Sequence, residues 1–185
     1  MKNCTHFILA TLLFISPLII TAQKINKVAK DHNNRELLLG KIDKTGLTQH
    51  SFAHWFIPNY NEYKVDTTIM NTIKTQLKNH KIVGFIGTWC GDSKREIPRF
   101  YKILESINYP MPNFSLIALD NAKDNYKKSP NGEEKGLHII RVPTFIIYKN
   151  GKEINRIIES PVASLEKDLA TIILGRDYVP NYITK

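Results

Sequence analysis

The stretch Gly87-Thr88-Trp89-Cys90-Gly91-Asp92-Ser93 follows an apolar run, residues 82–86, and precedes a segment with helical periodicity. A short and nearly continuous apolar run is typical of a central strand that is covered on both faces. A cysteine between such a strand and the start of a helix lies where backbone N–H groups and the helix dipole favour a thiolate. The stretch therefore predicts a reactive thiol at Cys90.

The segments around this stretch alternate between helical and strand patterns. Helices are predicted where apolar residues recur every three or four positions, and strands where short apolar runs lie between turn signals. The predicted helices are residues 65–79 with Asp66 as N-cap, residues 90–108 with a kink at Pro98, and a last helix from Ser160-Pro161 to Gly175. The predicted strands are residues 82–86, 114–119, 145–148 and 154–158, and the last two are joined by a hairpin at Asn150-Gly151. Residues 121–135 are polar and predict an exposed insertion.

Residues 23–61 predict an N-terminal extension that packs on the domain after it. Its polar first part has weak helical spacing. In its aromatic second part, Phe52, Trp55 and Phe56 have the i, i+3, i+4 spacing of one helix face, and Pro58 is expected to end that helix. We interpret the aromatic part as a cap over one face of the domain, and the alternative is a substrate groove lined with aromatic rings.

Residues 1–22 have the pattern of a secretory signal peptide. Lys2 gives a short positive start, an apolar run follows, and cleavage is expected after Ala22. The apolar run is shorter than the roughly 20 residues that a transmembrane helix needs. We therefore expect an exported protein, periplasmic or secreted, without a stable membrane span after cleavage. The protein has two cysteines, Cys4 and Cys90, and only the second would remain in the mature chain. No intramolecular disulfide would then be possible.

The charge pattern favours a basic and well-solvated surface. The formal net charge is +9 at pH 7 over 185 residues, and the lysines are scattered without an aromatic stripe or an arginine cluster. We therefore expect no nucleic-acid partner. His50 and His54 have the i, i+4 spacing of a metal-binding pair, but no third ligand follows at a useful spacing. Neither a metal nor a cofactor is expected.

The order of the predicted elements and four local matches resemble the thioredoxin superfamily. The matches are Trp89-Cys90-Gly91 for the active-site turn, Pro98 for the kinking proline of the next helix, Val142-Pro143-Thr144 for the cis-proline segment, and Tyr148-Lys149-Asn150-Gly151 for the following hairpin. The single-cysteine W-C-G-D-S turn is similar to a secreted bacterial branch of the superfamily. The resemblance implies an α/β thioredoxin-like fold, a mixed central sheet flanked by helices, with an N-terminal helical and aromatic extension. The implied layout is a signal peptide over 1–22, the extension over 23–61, a thioredoxin-like domain over 62–176 and a C-terminal tail over 177–185.

The resemblance also implies roles for individual residues. Cys90 is the expected nucleophile, and Ser93 stands where a thioredoxin has its second cysteine, so its hydroxyl is limited to a hydrogen bond with the Cys90 sulfur. Thioredoxins usually carry a buried carboxylate six residues before the first cysteine, and here that residue is Gly84. Pro143 is expected to be cis. The expected substrate-binding residues are Trp89, Val142, Pro143 and Thr144.

Charged neighbours are expected to tune the thiol in opposite directions. Asp92 opposes formation of the thiolate, whereas Lys94, Arg95 and the helix N-terminus favour it. Arg141 adjoins the proline segment, where it either pairs with an acidic group of a substrate or partner or stays solvated. His138 is expected near the same loop, and a structural role is the simpler interpretation of it.

These features predict a secreted protein that takes part in thiol–disulfide exchange through Cys90. Its thiolate would form a mixed disulfide with a protein or small-molecule partner. Because Ser93 cannot resolve that bond, an external thiol or reductase would be needed as the reductant. The alternatives are a non-catalytic peptide-binding module on the same scaffold, a one-cysteine peroxidase, and a monothiol glutaredoxin-like iron–sulfur protein. The peroxidase pattern is incomplete, because Gly87 stands where that pattern has a threonine.

Overall fold

The computed structural model describes residues 25–182. The expected signal peptide, with Cys4, and the end of the expected tail, residues 183–185, lie outside the described residues. The strands are β1 Lys27–Lys30, β2 Glu36–Ile42, β3 Lys81–Ile86, β4 Phe114–Ala118, β5 Thr144–Lys149 and β6 Lys152–Ile158. The α-helices are α1 Lys44–Leu47, α2 Ala53–Glu62, α3 Thr67–Leu77, α4 Gly91–Ser106 and α5 Leu165–Ile173.

The strands form one mixed sheet in the order β1-β2-β4-β3-β5-β6. β3 lies at its centre, parallel to β4 and antiparallel to β5, so that Phe85 has Ile117 on one side and Thr144 on the other. The remaining pairs, β1 with β2, β2 with β4 and β5 with β6, are antiparallel. The mixed sheet expected from the sequence is confirmed, and its central strand is the one that leads to Cys90.

Two apolar clusters cover the sheet. The larger cluster joins buried residues of the strands to buried residues of α2, α3, α4 and α5, which confirms a central sheet flanked by helices. The smaller cluster includes Phe85 and Val142, and Leu137 from the segment between β4 and β5 packs against it. Cys90 packs against this smaller cluster as well. The thiol therefore lies where the central strand meets the segment that leads into β5.

Gly84 lies in β3 between side chains of the two neighbouring strands, which fill the space that its own side chain would occupy. A Cβ atom built there would lie 2.7 Å from Leu116 Cδ1 on β4 and 3.4 Å from Phe145 Cδ1 on β5. Apolar side chains of the two neighbouring strands therefore occupy the space that a carboxylate at this position would need.

The first part of the extension is a β-hairpin, so the helical spacing predicted there is wrong. Asp31 closes the loop between β1 and β2, because its carboxylate accepts hydrogen bonds from the N–H groups of Asn33 and Arg35, each at 2.9 Å. Val28 on β1 is 43% exposed, whereas Leu38 on β2 is fully buried. Strand pairing and the burial of β2, which are not visible in the local sequence period, determine this segment.

α2 carries the aromatic residues of the extension and continues past Pro58, so the predicted end at that proline is wrong. Pro58 is exposed, and its ring removes one backbone donor from the helix. The side-chain amide of Asn59 donates to the Trp55 carbonyl at 2.7 Å, which adds a hydrogen bond in the interrupted turn. Phe56 faces the core, where its ring meets that of Tyr101 on α4 edge to face.

Local capping and turn signals are confirmed at α3 and at the hairpin between β5 and β6. The Asp66 carboxylate accepts the N–H of Ile69 at 3.0 Å and caps α3 as predicted. Asn150 and Gly151 have φ values of 52° and 78°, the left-handed conformations that a tight hairpin turn requires. These elements follow from short stretches of sequence, and their bounds agree with the prediction to within two residues.

α5 begins later than the predicted start at Ser160-Pro161. Its N-cap is Ser164, whose hydroxyl accepts a backbone N–H from the first turn at 3.2 Å. The preceding residues form a loop because the buried carboxylate of Asp168 accepts the N–H of Val162 at 2.7 Å. A carboxylate inside the helix thus fixes the chain that leads into it.

β2 is hydrogen-bonded to the turn that carries Cys90. The Leu38 N–H donates to Thr88 Oγ1 at 3.1 Å, and both residues are buried. β2 pairs with β4 over residues 40–42, so this bond extends its contact with the sheet towards the turn. The extension is therefore part of the framework that positions the site.

Replacing Phe56 by alanine is expected to lower the free energy of unfolding by about 3–5 kcal/mol, because it removes a buried ring and leaves a cavity. Phe56 is 1% exposed, and its neighbour Ile57 on the same helix is 44% exposed. The matched control Ile57→Ala is expected to change that free energy by less than about 1 kcal/mol. Urea unfolding measures both variants. A small and equal loss in the two would mean that α2 is not part of the cooperatively folded unit.

Candidate active site

Cys90 is the N-cap residue of α4 and follows the turn at the end of β3. Its N–H donates to the Gly87 carbonyl at 2.9 Å, and its carbonyl accepts the N–H of Lys94 at 3.0 Å. The backbone is thus held on the strand side and on the helix side of the cysteine. This places a half-buried thiol at the positive end of the α4 dipole.

The thiol contacts the backbone just before Pro143. Cys90 Sγ donates a hydrogen bond to the Val142 carbonyl at 3.2 Å, across a sequence separation of 52 residues. The Val142–Pro143 peptide bond is cis, the isomer that the resemblance implies, and both residues are buried. The Thr144 hydroxyl donates to the Arg141 carbonyl at 2.8 Å and closes the turn. The structure therefore brings the predicted nucleophile and the predicted proline segment together.

Ser93 is bonded to the backbone of the turn. It is 1% exposed, and its hydroxyl accepts the Gly87 N–H at 3.2 Å. A side chain in the first helical turn leans back towards the N-terminus of the helix, which brings the hydroxyl to the end of β3. This is the hydrogen bond that the Ser93 side chain makes in the described part of the chain, and the one that the sequence predicted to the Cys90 sulfur does not form. The geometry gives Ser93 a part in holding the turn.

Trp89 covers one side of the site. Its indole Nε1 donates to the Leu119 carbonyl at 2.9 Å. The ring lies over Gly87, where a Cβ atom would come within 2.5 Å of it, so that glycine is required for this packing. The centroid of the Tyr126 ring is 5.6 Å from that of Trp89. Trp89 is thus fixed beside the turn rather than free in solvent.

The charged residues in the first turn of α4 pair with one another. Asp92 Oδ1 lies 2.9 Å from Arg95 Nη1, and Arg95 Nε donates to Glu96 Oε1 at 2.6 Å. Burial acts to lower the pKa of Arg95, but its bonds to Glu96 and Asp92 outweigh burial and raise it. The negative charge of Asp92, predicted to oppose the thiolate, is therefore partly neutralised by Arg95. Lys94 is half-buried.

Lys127, in the segment between β4 and β5, lies near the thiol although no sequence pattern singled it out. Its Nζ donates to the Ile140 carbonyl. Burial lowers the pKa of Lys127 and the charge of Arg141 lowers it further, whereas the charges of Cys90 and Glu159 raise it. Lys127 is therefore electrostatically coupled to the thiol. The segment was predicted to be an exposed insertion, and Lys127 itself is half-buried.

Arg141, the residue before Val142, is exposed. Its Nη1 is 3.6 Å from Glu159 Oε1, and its guanidinium lies 4.9 Å from the centroid of the Tyr182 ring. Asn181, beside that tyrosine, donates to the Ser160 carbonyl at 2.9 Å. The C-terminal tail thus folds back beside the proline segment. Its sequence carries no motif from which this placement could be predicted.

Among residues 25–182, no three His, Cys, Asp or Glu side chains converge as they would around a metal ion. His138, expected near the proline loop, is exposed and has a positive φ of 50°. No helix in the described part of the chain is both long enough and apolar enough to cross a membrane.

Comparisons with known proteins match the part of the chain that contains this site. The family model for thioredoxin matches residues 62–171. Thioredoxin-1 of Saccharomyces cerevisiae is 28% identical over 89 residues, which are 48% of this chain and 77% of the yeast protein. Thioredoxin-1 of Schizosaccharomyces pombe is 32% identical over 88 residues, which are 48% of this chain and 76% of that protein.

One similar solved structure is mitochondrial thioredoxin 3 of Saccharomyces cerevisiae in its oxidized form. It is 28% identical, covers 59% of this chain and 94% of its own, and has a TM-score of 0.35. The family assignment depends on the residues that the family model matches rather than on this superposition. Those residues run from the end of α2 into α5 and include both Cys90 and Pro143. Since they make up more than half of the chain, the chain belongs to the thioredoxin family.

Proposed function

We propose that this protein takes part in thiol–disulfide exchange through Cys90 as its single active thiol. The observation that carries the proposal is the 3.2 Å hydrogen bond between Cys90 Sγ and the Val142 carbonyl. It sets the thiol against the backbone with which, by the family resemblance, an extended substrate pairs. Cys90 is the only cysteine among the described residues, so no second thiol of that part of the chain is available to it.

The proposed cycle has two steps, and the chain supplies the groups for the first. The Cys90 thiolate attacks one sulfur of a substrate disulfide, a new S–S bond forms, and the other sulfur leaves as a thiolate. In the second step an external thiolate attacks the substrate sulfur of this mixed disulfide and expels Cys90 as a thiolate. A small-molecule thiol or a partner reductase provides that thiolate. Ser93 has no such role, because a hydroxyl cannot take the place of the attacking sulfur.

The contact between the thiol and the proline segment supports an extended peptide as the bound form of the substrate. Val142 and Pro143 are buried beside the thiol, and Trp89 is held next to it by its bond to the Leu119 carbonyl. When Cys90 is ionised it no longer donates to the Val142 carbonyl, which then becomes free to accept an N–H of the substrate. Trp89, Val142, Pro143 and Thr144 are accordingly the residues that we propose for substrate binding.

Two of the three other functions considered from the sequence, the peroxidase and the peptide-binding module, have less support. A one-cysteine peroxidase would need a hydroxyl close to the sulfur, but position 87 is a glycine and Thr88 Oγ1 is bonded to the Leu38 N–H. A non-catalytic peptide-binding module would hold a peptide at the same proline segment with an inert thiol. The binding module and the exchange protein differ in one respect: only the exchange protein forms a mixed disulfide between Cys90 and the peptide.

A mixed disulfide with a peptide disulfide is expected to accumulate on the protein and to disappear in Cys90→Ser. The protein with Cys90 and the Cys90→Ser variant both carry Cys4→Ser, so Cys90 is the only thiol in the comparison. The serine hydroxyl can still donate to the Val142 carbonyl, so the variant is expected to keep its urea midpoint. Intact mass after acid quenching measures the adduct. If both proteins bind the peptide equally and neither gains the mass, the chain is a binding module and the exchange proposal fails.

Replacing Ser93 by cysteine is expected to release that adduct without an added thiol. A cysteine two residues beyond Gly91 completes the Cys-X-X-Cys spacing and can attack Cys90 within the mixed disulfide. The control Ser93→Ala leaves the Gly87 N–H without its acceptor, so it is expected to lose about 1–3 kcal/mol of stability without releasing the adduct. Time-resolved intact mass follows release. Persistence of the adduct in Ser93→Cys would contradict the proposed geometry of the turn.

We also propose that the protein is exported, and that residues 62–176 form the exchange domain on which residues 23–61 pack. The positive start and short apolar run of residues 1–22 support export. Protein isolated from outside the cytoplasm of its source cell is expected to begin at Gln23, as measured by intact mass. Recovery of the uncut chain from the cytoplasm alone would contradict export.

A further inference from the structure

Lys127 is held on the same short backbone segment as the thiol. Its Nζ donates to the Ile140 carbonyl, and Cys90 Sγ donates to the Val142 carbonyl at 3.2 Å. The two acceptors belong to residues two positions apart, whose Cα atoms are at most about 7 Å from each other. The ammonium and the thiol therefore bind neighbouring carbonyls of the segment that leads into β5.

The surrounding loop restricts where this lysine can go. The Lys127 N–H donates to the Asp120 carbonyl at 2.9 Å, and its Nζ lies 4.9 Å from the centroid of the Tyr126 ring. Tyr126 in turn packs on Trp89. A lysine normally loses much side-chain entropy when it is fixed, and here the loop has already fixed the start and the end of the side chain.

While Cys90 is uncharged, as a thiol or within a mixed disulfide, the charges beside the proline segment leave a positive surplus. Lys127 and Arg141 contribute two cations, and Glu159 is the carboxylate that acts on both of them. Asp92 is paired with Arg95 at 2.9 Å. Burial and the nearby charge of Arg141 both lower the pKa of Lys127, as expected when two like charges are held close together. An anion bound between the two cations would relieve their repulsion.

We propose that Lys127 and Arg141 form a receptor for a carboxylate that lies beside the disulfide attacked by Cys90. The receptor rests on the proposed exchange function and gives its substrate class: disulfides with an acidic group next to the reacting sulfur. The ammonium donates one of its three protons to Ile140 and keeps two for the anion. The guanidinium of Arg141 has the planar donor geometry that suits a carboxylate.

Binding of a substrate carboxylate must be separated from a simpler effect of the lysine charge. A cation beside sulfur also stabilises the thiolate, and that speeds the reaction of Cys90 with every electrophile. A carboxylate receptor speeds reaction with anionic reagents alone. Iodoacetate and iodoacetamide alkylate thiols by the same displacement of iodide and have nearly the same size, but only iodoacetate is anionic. The ratio of their rate constants therefore reports the receptor.

The test compares alkylation of Cys90 by the two reagents in the full chain with Cys4→Ser. Lys127→Gln is expected to lower the iodoacetate-to-iodoacetamide rate ratio about 2- to 5-fold, the effect of one partly exposed charge pair. Lys127→Arg is expected to restore the ratio. The matched control is Lys128→Gln, which removes the next lysine, whose Nζ donates to the Asp124 carbonyl at 2.9 Å, and should leave the ratio unchanged. Peptide mass spectrometry measures the rate constants.

Each outcome bears on the receptor. An unchanged rate ratio in Lys127→Gln overturns it. If both rate constants fall by the same factor, the lysine acts on the thiolate alone, and if neither falls, it does not act on the reaction. A peptide disulfide with glutamate beside the cysteine should also form its mixed disulfide faster than the glutamine version. Alkylation does not require disulfide exchange. If Lys127→Gln lowers the iodoacetate-to-iodoacetamide rate ratio but no mixed disulfide forms with any peptide, the exchange function is wrong and the anion site is supported. No alkylation by either reagent would count against both.

Discussion

The antiparallel pairing of β3 with β5 puts the thiol beside the proline segment, and the site depends on that register. Phe85 lies opposite Thr144. Cys90 follows Phe85 by five residues and Val142 precedes Thr144 by two, so both lie at the same end of this strand pair. The parallel pairing of β3 with β4 holds the central strand from its other side. A slip of one residue would exchange the faces of β3 and carry the thiol away from its acceptor. The burial of β3, on which only Lys81 is exposed, thus fixes the position of the thiol at its end.

In a thioredoxin, a buried carboxylate and a second cysteine resolve the mixed disulfide within the chain. Here Gly84 and Ser93 stand at those two positions, and both are part of the packing around β3. A carboxylate at position 84 would have to displace Leu116, since even a Cβ atom would come within 2.7 Å of it. It would also place a charge between apolar side chains, which is costly without a partner. At the position of the second cysteine, the Ser93 hydroxyl accepts a hydrogen bond from the Gly87 N–H. Both positions have structural roles here, which agrees with the proposal that an external thiol carries out the second step.

The elements nearest the thiol could be predicted because their signals are local. An apolar run, a helical stripe and the Asn150-Gly151 turn each specify their own backbone, and the structure follows them. The N-terminal hairpin could not be predicted in this way, because exposed β1 is held by pairing with β2 and has no apolar period of its own. The same holds within the site. Lys127 and Tyr182 reach it through tertiary contacts with Ile140 and Arg141, which no spacing along the chain records.

In the proposed exchange cycle, the hydrogen bond from the thiol to the Val142 carbonyl would link the charge state of Cys90 to the binding of a peptide. A thiol donates to this buried carbonyl, whereas a thiolate does not, and a buried carbonyl without a donor costs about 1–3 kcal/mol. A substrate N–H supplies the missing donor, so the reactive form of the cysteine is also the form that gains most from a bound backbone. In the mixed disulfide the sulfur still has no proton to donate, and the substrate bond is retained. Once the external thiol has expelled Cys90 and the sulfur is protonated again, it can replace the substrate at Val142 and favour release. One thiol and one carbonyl can therefore order binding, attack and release without a second cysteine.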